Sequence, residues 1–164
     1  MEFWFQLIIK NLDIKVGETV LDLGSGTGDP AITIGLSLEE AGTITACDLT
    51  PEMLVTARSR ANNIGLSVIR FAAADMKDLA FADNSFDCVT CRFGLMFPED
   101  KVRAAKEVRR VLKPGGRVGY MVWGPYHENP SFFVIRRAIS RALDIVEGAP
   151  PHRHNLGVPG LLSN

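Results

Sequence analysis

The stretch from residue 20 to residue 30, VLDLGSGTGDP, constrains the fold more than any other part of the sequence. Its first four residues are typical of a strand that is buried on both faces. The glycines at 24, 26 and 28 let the backbone turn sharply and approach a ligand. Asp29 is expected to cap the next helix, and Pro30 to occupy its first turn. A strand that enters a helix through such a loop forms the nucleotide corner of an open α/β sheet.

Strands and helices alternate along most of the chain. We expect strands at 20–23, 43–48, 66–71, 86–93 and 117–123, and helices at 2–12, 31–38, 51–64, 98–112 and 133–147. This alternation predicts a parallel sheet with right-handed crossovers. The expected fold is therefore α/β and Rossmann-like, an open parallel sheet of about five strands with helices on both faces.

Length and charge limit the function classes. We expect one domain, with an α/β core over 1–124 and a helix with an irregular tail over 125–164 that is possibly an association segment. The net charge of −1 argues against broad electrostatic binding to nucleic acid. No apolar run is long enough to insert stably across a bilayer.

In the first helix, Phe3, Leu7 and Leu12 are expected to pack on the sheet, and Trp4 or Ile8 either lines a ligand mouth or joins the core.

The cysteines and histidines do not form a disulfide or metal pattern. Three cysteines, at 47, 88 and 91, favour a reducing cytoplasm. Cys88 and Cys91 lie on one predicted strand and point to opposite faces, so we expect buried small residues rather than a redox pair. His152 and His154 lack an acidic or cysteine neighbour, and no metal site is expected.

Four places carry the functional signal: the glycine loop, Asp48, the Asp75–Met76 pair and the end of strand four. A dinucleotide fingerprint starting at Gly24 requires glycine at position 29, where this chain has aspartate. The acidic loop, with Asp22 nearby, disfavours a phosphate and suits a ligand with an ammonium group. Asp48 follows strand two, where its carboxylate either accepts both ribose hydroxyls or is an ordinary turn residue. Asp75 either accepts the exocyclic amine of an adenine that Met76 covers, or caps a helix in a solvent loop.

The end of strand four, residues 91–97, is also expected to face the ligand, because open α/β sheets bind ligands outside the carboxyl ends of their strands. Arg92 in this segment either orients an acidic or carbonyl-bearing group or forms a structural ion pair. The two roles are equally compatible with the sequence.

These residues together resemble the class I S-adenosylmethionine-dependent methyltransferases, in particular the small-molecule branch that includes the ubiquinone/menaquinone-biosynthesis type. The resemblance covers roughly residues 15 to 124. It rests on the segment 20–28, on Asp48, on the Asp75–Met76 pair, on 86–89 and on 110–117. The cofactor-binding residues that it implies are Asp22, Gly24, Ser25, Gly26, Thr27, Gly28, Asp48, Leu49, Asp75, Met76, Arg92 and Phe93.

The resemblance implies methyl transfer from S-adenosylmethionine to an oxygen, nitrogen or carbon nucleophile of a small-molecule acceptor, with S-adenosylhomocysteine as product. Some acceptors need a base, and His127 and Tyr126 after strand five are the candidates. Two alternatives stay open. One is a cofactor-binding but catalytically impaired fragment that acts through self-association, and the other is a nicotinamide-dependent oxidoreductase.

Relatives of this kind continue into an antiparallel strand pair, which this sequence lacks, so we expect a truncated member of the family. Strand five then becomes an exposed edge without a charged residue between 119 and 123. We therefore expect a homo-oligomer that associates through strand five and the 124–164 segment. The face formed by Arg136, Arg137 and Arg141 is either a solvated surface or a contact for an anionic molecule.

Overall fold

The structure is a computed structural model that describes residues 2–38 and 41–162. It divides into two compact units, residues 1–121 and residues 122–164, which are described separately. The helices and strands of the first unit are α1 Glu2–Leu12, β1 Thr19–Leu23, α2 Ala31–Ser37, β2 Thr43–Asp48, α3 Pro51–Asn63, β3 Ile69–Ala73, β4 Phe86–Arg92, α4 Lys101–Val111 and β5 Leu112–Met121.

The strands form one parallel sheet in the order β3-β2-β1-β4-β5. The predicted fold class is confirmed, and within the described residues this sheet has five strands and no antiparallel pair. The chain order reverses beside β1, which has β2 on one side and β4 on the other. In a sheet of this type, the point of reversal opens a crevice at the carboxyl ends of the strands.

A hydrophobic core covers each face of the sheet. On one face, side chains from α1, α2 and α3 pack around Val20, Ile44 and Cys88. Leu21 and Val89 alternate to the other face and are also fully buried. This burial fixes the central strands, and with them the loops that leave their carboxyl ends.

The structure shifts several predicted elements. Strand three lies at 69–73 rather than 66–71, because its parallel register with β2 pairs Ile44 with Ile69 and Asp48 with Ala73. In α1, Ile8 and Leu12 are buried and Leu7 is 39% exposed. The expectation that Leu7 packs on the sheet is therefore wrong, and Ile8 belongs to the core. The side chains of Phe3 and Trp4 lie outside the described residues.

The second unit contains α5, Pro130–Ala142, between two short 3₁₀ turns at Tyr126–Glu128 and His152–His154. The predicted helix over 133–147 thus begins three residues too late and ends five residues too late. Asp144 takes the left-handed conformation at φ 52°, just after the helix ends. No residue of α5 is buried, so the apolar face predicted for this helix is exposed. Among the described residues, no helix has the length and apolar character needed to cross a bilayer.

Candidate cofactor site

A cavity of about 600 Å³ lies at the carboxyl ends of β1, β2 and β4. The residues that line it are Leu23, Gly24, Gly26, Cys47, Asp48, Leu49, Thr50, Met53, Ala74, Asp75, Met76, Lys77, Phe93, Gly94, Phe97, Pro98 and Glu99. Seven of the predicted cofactor residues are among them, namely Gly24, Gly26, Asp48, Leu49, Asp75, Met76 and Phe93. The structure therefore brings together four loops, one after each of β1, β2, β3 and β4, that are far apart in the sequence.

The glycine loop packs directly against the segment that follows β4. Gly24 has φ +66°, and a Cβ atom there would lie 3.2 Å from the Cα of Gly94. A side chain at this position would have to adopt a left-handed backbone and push the two loops apart. Glycine is thus required at position 24 to close this wall of the cavity.

Asp48 links β2 to the glycine loop. Its Oδ2 accepts a hydrogen bond from the Gly26 N–H at 2.8 Å, and its Oδ1 accepts one from the Thr50 N–H at 2.9 Å. Both bonds fix the carboxylate at the cavity wall. A carboxylate has about four lone-pair positions, so Asp48 retains acceptor capacity for two hydroxyl groups of a ligand.

Asp75 and Met76 form the part of the wall that follows β3. Asp75 Oδ1 accepts the Lys77 N–H at 2.9 Å, and its Oδ2 lies 3.5 Å from the Lys77 ammonium. The loop is held from α4, where Arg103 Nε donates to the Lys77 carbonyl at 2.9 Å. The carboxylate is therefore oriented by its own loop while its side chain remains about one-third exposed.

Asp22 lies beneath the loop and not in the cavity wall. It is fully buried, its Oδ1 accepts the Thr90 hydroxyl at 2.7 Å, and its Oδ2 accepts the Ala31 N–H at 3.2 Å. Burial raises the pKa of this carboxyl to about 6, although both hydrogen bonds favour the carboxylate. Asp22 thus joins β1 to β4 and to the start of α2.

The expectation that Asp29 caps α2 is wrong. The helix begins at Ala31, Pro30 precedes it, and the carboxylate that receives the Ala31 N–H belongs to Asp22. The sequence alone could not show this, because Asp22 lies nine residues before Ala31, on the other side of the glycine loop. The expectation that a phosphate is disfavoured at this helix end stays a prediction, which the buried Asp22 carboxylate at the Ala31 N–H supports.

Two arginines bind the end of the glycine loop. Arg60 of α3 lies 2.8 Å from Asp29 Oδ2, and Arg92 donates from Nη2 to the Asp29 carbonyl at 3.1 Å. The charge of Asp29 is balanced by Arg60, so the loop is less acidic than the sequence suggests. Neither Arg92 nor Asp29 lines the cavity.

The remaining predicted cofactor residues take structural positions. Ser25 is 1% exposed, and its N–H donates to the Cys47 carbonyl at 3.0 Å. Gly28 N–H donates to the Ser25 carbonyl at 2.9 Å. Thr27 is exposed, and its carbonyl accepts a hydrogen bond from Arg60. These residues shape the loop, and Phe93 contributes the adjoining wall with a left-handed backbone at φ 57°.

The two candidate bases lie in the second unit. His127 has a 79% exposed side chain, with Nε2 3.6 Å from Glu128 Oε1. Tyr126 packs its ring against Phe133 and His154, and its buried hydroxyl has no partner among the described residues. The two neighbouring side chains therefore differ sharply in their access to solvent.

The cysteines and the other histidines have structural positions. Cys47, Cys88 and Cys91 are free and buried, and burial raises the pKa of Cys88 to about 11 and that of Cys91 to about 12. These thiols remain protonated at neutral pH, so the interpretation of Cys88 and Cys91 as buried small residues is confirmed. His154 Nδ1 contacts the Gly124 carbonyl at 3.0 Å within a cluster of aromatic rings.

Sequence reasoning missed three residues that build the site. Thr90 lies opposite Asp22 in the pairing of β1 with β4, and this register follows from the tertiary structure and not from a local pattern. Met53 follows the apolar spacing of α3, yet it lines the cavity and is 44% exposed. Arg60 carried no signal, since a lysine or arginine on an exposed helix surface is usual.

Comparisons with known proteins decide the family. Residues 1–127 match the model of the ubiE/COQ5 methyltransferase family. The chain belongs to this family. The ubiquinone/menaquinone biosynthesis C-methyltransferase UbiE of Klebsiella pneumoniae is 39% identical over 116 residues, which make up 70% of this chain and 46% of that protein. The chain thus spans about half the length of the curated relatives it matches.

Solved structures agree with the fold. A SAM-dependent methyltransferase from Aquifex aeolicus superimposes with a TM-score of 0.73 at 22% identity, over 97% of this chain and 77% of that one. The [4+2]-cyclase SpnF is 31% identical with a TM-score of 0.68, over 71% of this chain and 43% of that one. The first likeness supports the fold alone, and the second shows that a different reaction can be hosted by a similar structure.

S-adenosylmethionine is the cofactor of this family, and the cavity has the features that it needs. Asp48 and Asp75 place two carboxylates at the cavity wall, each fixed by hydrogen bonds from backbone N–H groups. Apolar side chains of Leu49, Met53 and Met76 form the remaining walls. A volume of about 600 Å³ lies within the usual range for sites that take a ligand of this size.

Proposed function

We propose that this chain binds S-adenosylmethionine in the cavity at the carboxyl ends of β1, β2 and β4, and transfers a methyl group to a small-molecule acceptor. The observation that carries the proposal is the convergence of Asp48, Asp75 and the glycine loop on one cavity at the point where the strand order reverses. The bound cofactor supplies an electrophilic methyl group on a sulfonium, whose sulfur leaves as a neutral thioether.

The chain contributes binding and alignment. Asp48 accepts hydrogen bonds from the two ribose hydroxyls, and Asp75 accepts one from the adenine amine while Met76 covers the ring. Leu49, Met53 and the aromatic residues of the wall exclude water. Alignment of two reactants in a dry site contributes on the order of 7–11 kcal/mol to the barrier reduction, so methyl transfer does not require a catalytic triad.

An acceptor that must lose a proton needs a base, and His127 and Tyr126 remain the residues we propose. Their support is their position directly after β5 and the exposure of the His127 imidazole. Turnover of His127→Ala and Tyr126→Phe, measured beside the unmodified chain, tests each role.

Calorimetric titration with S-adenosylhomocysteine tests the site, with NAD as the control ligand. We expect micromolar binding of the former, and at least tenfold weaker binding for Asp48→Ala, because hydrogen bonds to a charged group are worth roughly 1.5–3 kcal/mol each. Asp78→Ala is the matched control, since this exposed carboxylate does not line the cavity. Tight NAD binding would support the oxidoreductase alternative instead.

A second candidate is a cofactor-binding chain without methyl transfer. The likeness to a [4+2]-cyclase supports this candidate, because a protein of similar fold has a name that describes a different reaction. Formation of S-adenosylhomocysteine in an acceptor screen distinguishes the two. Cofactor binding without turnover would support the second candidate.

We also propose that the chain self-associates and works in the cytoplasm. The sheet ends at β5, and the second unit exposes Ile135, Ile139 and Leu143, each by more than half. Edge strands and exposed apolar patches both favour association. Light scattering during size-exclusion chromatography tests the proposal, with Ile139→Lys as the disrupting variant and Ser140→Lys as the matched control. A clean monomer would contradict self-association.

Three buried free cysteines support the proposed cytoplasmic location, because a reducing compartment keeps thiols free.

A further inference from the structure

Arg60 lies in the last turn of α3, outside the cavity, yet its side chain contacts two residues of the glycine loop. Its Nη1 donates to the Thr27 carbonyl at 2.6 Å and lies 3.5 Å from the Thr27 hydroxyl. Its Nη2 lies 2.8 Å from Asp29 Oδ2. One guanidinium therefore spans two residues of the loop, which only the planar fork of an arginine can do with this geometry.

The loop is held from two further directions. Cys47 and Asp48 accept the N–H groups of Ser25 and Gly26, which ties the first half of the loop to β2. Arg92 donates to the Asp29 carbonyl from β4. Among the described residues, Arg60 is the side chain that binds the Thr27 carbonyl and pairs with the Asp29 carboxylate. Its contacts hold the outer half of the loop.

The charge of Asp29 makes this contact matter. The Asp29 side chain is 18% exposed and lies next to the start of α2, whose first N–H is already bound by Asp22. Without Arg60, a second carboxylate would compete for N–H groups of the loop and helix, since an anion is favoured at such an end. The loop would then lose the single arrangement in which Gly26 faces Asp48.

We infer that Arg60 is a positioning residue for cofactor binding, which fixes the outer half of the glycine loop through Thr27 and Asp29. The inference rests on the function proposed above. It predicts a role for a residue that does not line the cavity and cannot touch the cofactor from its place on α3.

Calorimetric titration of the full chain with S-adenosylhomocysteine tests the inference. For Arg60→Ala we expect roughly tenfold weaker binding, the usual effect of losing a charge-assisted hydrogen bond and its ion pair. Arg60→Lys restores the charge but not the fork, so its affinity should lie between the two. Asp29→Asn removes the same ion pair from the loop side and should weaken binding as well, which guards against a folding defect in one variant.

Arg58→Ala is the matched control. It removes the same charge from the same helix, but Arg58 stacks on Phe71 at 5.4 Å from the ring centre and does not contact the loop. Its affinity should equal that of the unmodified chain. In Asp29→Ala/Arg60→Ala, the loss should be smaller than the sum of the two single losses, because the pair acts as a unit.

A purely structural role predicts a different result. If Arg60 only stabilised the fold, the melting temperature without ligand would fall and the affinity of the folded protein would not change. For Arg60→Ala we expect weaker binding with an unchanged melting temperature in the absence of ligand. We also expect faster amide exchange at residues 26–28. Unchanged affinity in Arg60→Ala, with the unmodified chain binding normally, would overturn this inference alone. No binding by the unmodified chain would overturn both this inference and the proposed cofactor site.

Discussion

The two units of the chain bury their helices to very different extents. Helix α2 in the first unit has seven residues and buries Ala31, Ile32, Ile34 and Gly35. Helix α5 in the second unit has thirteen residues and buries none. The candidate site belongs to the first kind of structure, where burial on both faces of the sheet fixes the loops. The second unit instead presents apolar side chains that remain available for a partner.

The largest expected difference between the units is in the cost of removing an isoleucine. Ile34→Ala removes a side chain that is fully buried, and we expect the free energy of unfolding to fall by about 2–5 kcal/mol. Ile139→Ala removes one that is 53% exposed, and we expect a change within about 0.5 kcal/mol. Denaturant titration of both variants checks this. Equal losses would show that α5 is packed as tightly as α2.

The next prediction concerns the pH dependence conferred by Asp22 in the first unit. Its pKa of about 6 in the folded chain lies above the ordinary value of 3.8, so the folded state binds the proton more tightly. The resulting stabilisation is fully present below about pH 4 and is lost as the pH rises through 6. Relative to Asp22→Asn, the unfolding free energy of the unmodified chain should therefore fall by on the order of 3 kcal/mol between pH 4 and 7. A pH-independent difference between the two proteins would contradict the role of burial.

The smallest expected effects compare two buried hydroxyls. Thr90→Val leaves Asp22 Oδ1 without its donor at 2.7 Å, and we expect a loss of about 1–3 kcal/mol in unfolding free energy. Tyr126→Phe removes a buried hydroxyl that has no partner among the described residues. The unfolding free energy should therefore rise by about 1–3 kcal/mol, because the desolvation cost of an unsatisfied hydroxyl is removed. Thermal unfolding of both variants decides the matter. A large loss for Tyr126→Phe would mean that its hydroxyl has a stabilising partner.

The sequence predictions succeeded where the interacting residues are close together in the chain and failed where they are far apart. The helix predicted from residue 98 begins at Lys101, and Asp100 lies just before it as the cap, with its Oδ1 accepting the Arg103 N–H at 2.8 Å. The cap of α2 was assigned to Asp29 and belongs to Asp22, nine residues away. The position of strand three also depended on its partner β2 and not on its own residues.

By itself, the sequence determined the order of the elements, the parallel sheet and the four loops that form the candidate site. Hydrophobic periodicity and glycine spacing are local properties, so they can be recognised from the sequence without knowledge of the tertiary contacts. Only the tertiary structure decided which polar groups meet. The Asp22 carboxylate accepts the Thr90 hydroxyl, Arg60 pairs with Asp29, and Asp48 accepts the Gly26 N–H. The residues of these pairs are 22 to 68 positions apart in the sequence. No local sequence pattern encodes that they come into contact. The physical reason is that burial of apolar side chains places the elements, and the polar contacts follow from that placement.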